Sequence, residues 1–176
     1  IRLHTTLNGA QVTLCGLPMP LLYAGASQIN AIVPKDLPSD VCPLVVTTGV
    51  APSTPVPLFV RRLQPGIYTV DTSGSGPGIV ADAFTGVLTD AAHPAHASDY
   101  LVIYATGLGP VAGPNGEPGP ADGAAPSGTT IFRTNSVVTA TIGGVPATVL
   151  FSGLTPGFAG LYQINVTLPS TGLTAG

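Results

Sequence analysis

Charge is what this chain has least of. Five Lys and Arg and eight Asp and Glu make up 7% of its 176 residues, where an ordinary globular protein carries about 25%. Lys35 is the one lysine, and Arg61-Arg62 is the one adjacent basic pair. Neutralising phosphates takes clustered Lys and Arg, so nucleic acid is excluded as a partner. No apolar run approaches the 18 or more residues of a membrane-spanning helix. Helical periodicity is absent throughout, which excludes bundles and α/β folds. Tryptophan is absent as well, and the five Tyr and five Phe are too few to stand out from a core. There is no Gly-x-Ser-x-Gly elbow, and the eight acids are scattered singly, with no close pair inside a strand pattern. The expectation is a protein that is not an enzyme, with no catalytic residue, no metal and no cofactor.

Glycine and proline are abundant instead, at 23 and 19 residues. Such a share can mark disorder, but 44% of the chain is hydrophobic, in short Val-, Ile-, Leu- and Thr-rich runs that a disordered chain lacks. Many short strands between Gly/Pro turns read as an all-β sandwich. Cys15 and Cys42 each sit in a strand-like segment. An even count in a chain of this style favours a disulfide and an oxidising compartment, with two buried thiols as the alternative.

An internal repeat organises the sequence. Gly16-Leu17-Pro18-Met19-Pro20-Leu21-Leu22-Tyr23-Ala24-Gly25, followed by Gln28-Ile29-Asn30-Ala31-Ile32-Val33-Pro34, forms the first copy. Gly144-Val145-Pro146-Ala147-Thr148-Val149-Leu150-Phe151-Ser152-Gly153, followed by Gln163-Ile164-Asn165-Val166-Thr167-Leu168-Pro169, forms the second, with Leu154 to Gly160 inserted between its blocks. Each copy reads as a hairpin and a strand. Gly-x-Pro makes the turn, which places Gly16 and Gly144 at positive φ, and the proline at 34 or 169 ends the strand. The expected organisation is two tandem immunoglobulin-like β-sandwich halves from an internal duplication, residues 1–62 and 98–176. Residues 63–97 form a β-rich linker or hairpin between them.

Several segments resemble an uncharacterised C-terminal domain family that recurs in large secreted proteins of acidobacteria. They are Gln28-Ile29-Asn30-Ala31, Pro65-Gly66-Ile67-Tyr68, Tyr104-Ala105-Thr106-Gly107-Leu108-Gly109-Pro110, Ile142-Gly143-Gly144-Val145-Pro146-Ala147 and Gly157-Phe158-Ala159-Gly160-Leu161-Tyr162-Gln163-Ile164-Asn165. The resemblance spans roughly residues 8 to 176. It implies an immunoglobulin-like fold, an extracellular or cell-surface setting in a bacterium, and no enzyme activity. Against the family pattern, the first half lacks an opening strand and the second lacks its closing strands.

Other residues invite chemistry, each with a simpler account beside it. His93 and His96, with Asp90 and Asp99, have ligand-like spacing, yet a polar linker is commoner. Asp71 with Asp82, and Asn115, Glu117 and Asp122, offer oxygens for calcium, but neither matches a calcium loop. Gln28/Asn30 and Gln163/Asn165 recur in both copies, either as a ligand-binding polar strip or as amides bonding backbone at the sheet rim. Tyr23, Phe151, Tyr68, Tyr104 and Tyr162 read as core before they read as a sugar platform. Asn165-Val166-Thr167 is a glycosylation sequon inside an expected strand.

The leading expectation is a structural or adhesive module, with a carbohydrate-binding module as the alternative and a surface glycan as its partner. Missing strands point to self-association, or to neighbouring domains of a longer chain, by β-strand addition. Ile1-Arg2-Leu3-His4-Thr5-Thr6-Leu7 alternates apolar and polar residues, so it is the candidate exchanged strand, and a head-to-tail exchange of this kind builds a filament.

Overall fold

The computed structural model describes residues 1–173. Among them the fold is all-β, a set of antiparallel sheets arranged as β-sandwich layers, with no helix. The chain forms two compact units. Unit 1 comprises Ile1–Arg62, Gly119–Thr129 and Pro156–Gly160, and unit 2 comprises Leu63–Pro118, Thr130–Thr155 and Leu161–Gly176.

Unit 1 contains β1 (Thr6–Leu7), β2 (Ala10–Leu14), β3 (Leu17–Pro18), β4 (Leu21–Ala24), β5 (Ile29–Ala31), β6 (Val41–Thr48), β7 (Ala51–Pro52) and β8 (Val56–Phe59). One sheet runs β1-β2-β6 with β7 and β8 on the far edge of β6, and β4-β5 form a separate hairpin. Period-2 alternation buries Ala10, Val12 and Leu14 of β2. Val12 and Leu14 pack with Met19, Leu21 and Cys42 into the core. Cys15 and Cys42 form a disulfide with Cα atoms 4.8 Å apart, joining the β2–β3 turn to β6.

Two prolines shape the outer edge of this sheet. Pro43 of β6 stands opposite Pro57 of β8. Neither has an N–H, so the pair occupies a non-hydrogen-bonded place in the ladder. Val56 and Leu58 then bond inward to β6. Pro57 and Phe59 turn their backbone groups outward, and Pro57 has no donor to offer.

Unit 2 contains β9 (Gly66–Ile67), β10 (Val80–Asp82), β11 (Tyr100–Thr106), β12 (Val111–Ala112), β13 (Arg133–Thr134), β14 (Ala140–Ile142), β15 (Val145–Leu154) and β16 (Tyr162–Thr167). Its sheet runs β10-β11-β16-β15-β13-β12, with β9 also on β11 and β14 on β15. Leu101, Ile103, Ala105, Ile164 and Val166 alternate toward the core. Residues 63–97, expected as a β-rich linker or hairpin, supply β9 and β10 to this sheet, and between them Thr69 and Gly78 form an antiparallel bridge. Val80–Asp82 pair with Leu101–Ile103, and the Tyr68 N–H donates to the Tyr104 carbonyl.

The segment Ile1–Leu7, expected as the strand to be exchanged, has a place inside unit 1. Asn8 and Gly9, at φ 50° and 75°, make a two-residue type I′ turn that folds Thr6–Leu7 back on β2. Asn8 Nδ2 donates to the Ala24 carbonyl. Leu21 N donates to His4 O, Leu3 N to Gly123 O, and Ala125 N to Ile1 O. Unit 1 thus recruits residues 119–129 from far along the sequence, which no local pattern announces.

Candidate functional site

The repeated blocks adopt one conformation twice. Cys15-Gly16 (φ 51° and 76°) and Gly143-Gly144 (φ 57° and 79°) are both type I′ turns, as expected for Gly16 and Gly144. In the first copy Leu21 pairs with Ala31, Tyr23 with Asn30 and Ala24 with Ile29, with a bulge between Leu21 and Tyr23. In the second, Val149 pairs with Val166, Phe151 with Asn165 and Ser152 with Ile164, with a bulge between Val149 and Phe151. The extra residue re-aims the aromatic that follows it. The Tyr23 ring lies over Gly25 and the Phe151 ring over Gly153. A Cβ there would stand 2.8 Å from Tyr23 Cζ or 2.6 Å from Phe151 Cζ. Both glycines of the repeat are therefore seats for an aromatic ring.

The amides recur with the same geometry. Gln28 Nε2 donates to Asn30 Oδ1 at 2.6 Å, and Gln163 Nε2 donates to Asn165 Oδ1 at 3.0 Å. The expectation of amides tied to backbone at the rim is corrected: each pair bonds within itself. Gln Oε1 and Asn Nδ2 remain directed away from that bond, an acceptor and a donor beside an aromatic ring. The sequon residue Asn165 lies within β16 as one of these amides.

In unit 2 the strip is three strands wide. The core face of β11 and β16 is set by Leu101, Ile103, Ile164 and Val166, so the intervening side chains point the other way. Register then fixes three rows on the outer face: Tyr104–Gln163–Gly153, Val102–Asn165–Phe151 and Tyr100–Thr167–Thr148. Arg133 is paired with Gly153, and its Cζ stands 4.8 Å from the Phe151 ring centroid. At the opposite corner Phe84, 80% exposed, meets Tyr100 edge-on at 5.6 Å and 83°. Phe84 is held by its turn, where Asp82 Oδ1 accepts from Phe84 N, Thr85 N and Thr85 Oγ1. In unit 1 the equivalent strip has only the two strands β4 and β5.

The aromatics expected in the core are not fully buried. Tyr23 is 52% and Tyr68 40% exposed, while Tyr104 and Tyr162 are half-buried. The Tyr162 hydroxyl donates to the Gly109 carbonyl, and burial raises its pKa. Phe84 escaped notice in the sequence, although an aromatic placed just after Asp-Ala at a turn was its signal.

The scattered acids are turn formers. Asp71 Oδ1 accepts from Ser73 N and Oγ. Asp90 Oδ1 accepts from Ala92 N and His93 N and faces His93 Nδ1 at 3.1 Å. Asp99 Oδ2 accepts from His96 N, and Glu117 holds Asn115 through both carboxylate oxygens. Hydrogen bonds to the ionised form lower the pKa values of Asp71, Asp82, Asp90 and Glu117. The first cause is the Ser73 N–H for Asp71, Thr85 N–H for Asp82, His93 N–H for Asp90 and the Asn115 side chain for Glu117. His93 and His96 serve separate turns, each with its own aspartate. Among the described residues no three His, Cys, Asp or Glu side chains come together.

No protein-family model, curated protein or solved structure matches this chain.

Proposed function

We propose that this chain is a non-enzymatic structural or adhesive module of the bacterial cell exterior, built from two immunoglobulin-like halves and associating through unit 1. The observation that carries this reading is an uncovered stretch of core-facing surface. Val56 and Leu58 pair with Leu44 and Cys42, so they point to the same side as the buried core residues. They are nevertheless 57% and 38% exposed. Apolar surface in that position is stabilised by a neighbour that covers it, either another copy or an adjoining domain of a longer chain. The chain exposes 10675 Å², against about 9,500 Å² for two separate compact units sharing its mass.

The disulfide fits an oxidising setting. Five of the eight acids, Asp71, Asp82, Asp90, Asp99 and Glu117, are each engaged in holding a turn, which supports a role other than acid–base chemistry for them. The shared turn, bulge and amide pair of the two repeat blocks support a duplication. Ile1–Leu7 supplies a route to filaments: exchanged between copies, it would keep every backbone bond it now makes in its own chain.

Static light scattering across a concentration series, with negative-stain electron microscopy, tests the reading. Concentration-dependent association is expected. Leu58→Asp should weaken it, and deleting residues 1–7 should abolish polymers while leaving a less stable monomer. A strictly monomeric full chain at high concentration overturns the reading.

A further inference from the structure

We propose that the outer face of β11, β16 and β15 binds a polysaccharide bearing uronate sugars, an inference independent of how unit 1 associates. The ligand class follows from what the three rows present. The centre is polar and uncharged: Gln163 and Asn165 are locked to each other at 3.0 Å, and Thr167 and Thr148 add hydroxyls in the next row. Mutually bonded amides lose little rotamer freedom when they take a further partner, so an acceptor and a donor are pre-oriented at small entropic cost. Such groups suit a ligand that offers many hydroxyls, each able to donate and accept.

Aromatic surface borders this centre along β11. Tyr104 stands across β16 from the Phe151 strand, two inter-strand steps or about 10 Å away, and Tyr100 with its edge-on partner Phe84 closes one corner. Aromatic faces accept the C–H surface of a sugar ring as they accept other apolar groups. An apolar peptide would leave the amides unpaired, at a cost that disfavours it.

The acidic preference comes from Arg133. It is exposed, stacked at 4.8 Å on Phe151, and among the described residues no carboxylate lies within ion-pair distance of it. A guanidinium fixed in this way presents a planar fork to a carboxylate. It is also the charged group at the end of the row that holds Gln163, since Gly153 pairs with both.

Affinity electrophoresis of the full chain in gels containing polygalacturonate or a neutral galactan tests the assignment. Polygalacturonate should retard the protein saturably, and the neutral polymer should do so at least about tenfold more weakly. The double variant Gln163→Leu/Asn165→Leu should lose about tenfold or more in affinity for polygalacturonate while keeping the wild-type melting temperature to within a few degrees. Arg133→Gln should remove the preference for the acidic polymer, so that polygalacturonate and the neutral galactan retard the variant to a similar extent. Gln28→Leu/Asn30→Leu, in the narrower strip of unit 1, should bind as wild type does. Absence of retardation by either polymer overturns the proposal. So does equal retardation by both, or unchanged polygalacturonate binding in a folded Gln163→Leu/Asn165→Leu chain.

Discussion

Reducing the Cys15–Cys42 bridge separates what the covalent link contributes from what the strand ladder contributes. The bridge spans 27 residues, and constraining a loop of that length stabilises the fold by about 3.5 kcal/mol in the chain-entropy treatment. A second effect runs the other way. Cys15 sits at φ 51°, where a residue with a Cβ costs about 1 kcal/mol relative to glycine. The second copy has Gly143 at this place, at φ 57°, and no bridge. Cys15→Gly should therefore lie about 2.5 kcal/mol below the oxidised protein and about 1 kcal/mol above the reduced one. At a slope of about 1.5 kcal/mol per molar urea, the midpoints fall by about 1.7 M and about 2.3 M respectively. Hydrogen exchange along a urea series, read on peptides from β2 and β6, measures these shifts, with peptides from β11 and β16 as the internal control. Coincident midpoints for oxidised and reduced protein would refute the loop-closure part. A glycine variant less stable than the reduced wild type would refute the left-handed strain.

Gly153→Ala should destabilise the protein by at least about 2 kcal/mol, because the new Cβ meets the Phe132 carbonyl and the Phe151 ring together; thermal melting checks this, and an unchanged Tm counts against the ring seat. Gly144→Val, at φ 79° with open space around it, should cost over about 1 kcal/mol from backbone strain alone, and a series with Asn at that position should recover part of the loss. The acid side of the stability profile has a defined sign. Asp71, Asp82, Asp90 and Glu117 have folded pKa values below their ordinary 3.8 and 4.5, so the unfolded chain binds protons first. Stability should be level above about pH 5 and decline as pH falls through the lowered values, and a Tm that rises on acidification would contradict it.

The strand and turn pattern was legible because its signals are local. Val12 and Leu14 alternate with Gln11 and Thr13, and Gly-x-Pro marks both hairpins, so the class of fold and the repeat could be read from the residues. The two cysteines were legible for a similar reason, each lying in or at the end of a strand-like run, with Cys42 in β6 and Cys15 in the turn that follows β2. The division into units was not legible, because it depends on contacts across more than a hundred residues, such as Leu3 with Gly123. One local clue did bear on it. Asn8-Gly9 is a strong hairpin dipeptide, and it ties Thr6–Leu7 to β2. Residues 63–97 read as a β-rich linker or hairpin because their strand-like runs, Ile67 to Val70 and Ile79 to Phe84, are short, while their pairing with β11 is set by backbone groups that carry no sequence signature. The outer strip was half legible. The recurrence of Gln-x-Asn was visible, but its alignment with Tyr104, Phe151 and Arg133 is a matter of register between strands, and a bulge of one residue decides it.

The facing prolines of β6 and β8 have a consequence for the conditions this protein tolerates. Sheet edges are commonly guarded by charged side chains, above all lysine, and such guards weaken as salt screens them or as pH changes their ionisation. Here the guard at β8 is a missing N–H at Pro57. A deleted donor is not screened by salt and does not titrate. The β8 edge should resist backbone pairing equally in fresh water, in brine and in acid, leaving side-chain contacts as the means by which unit 1 meets its surroundings.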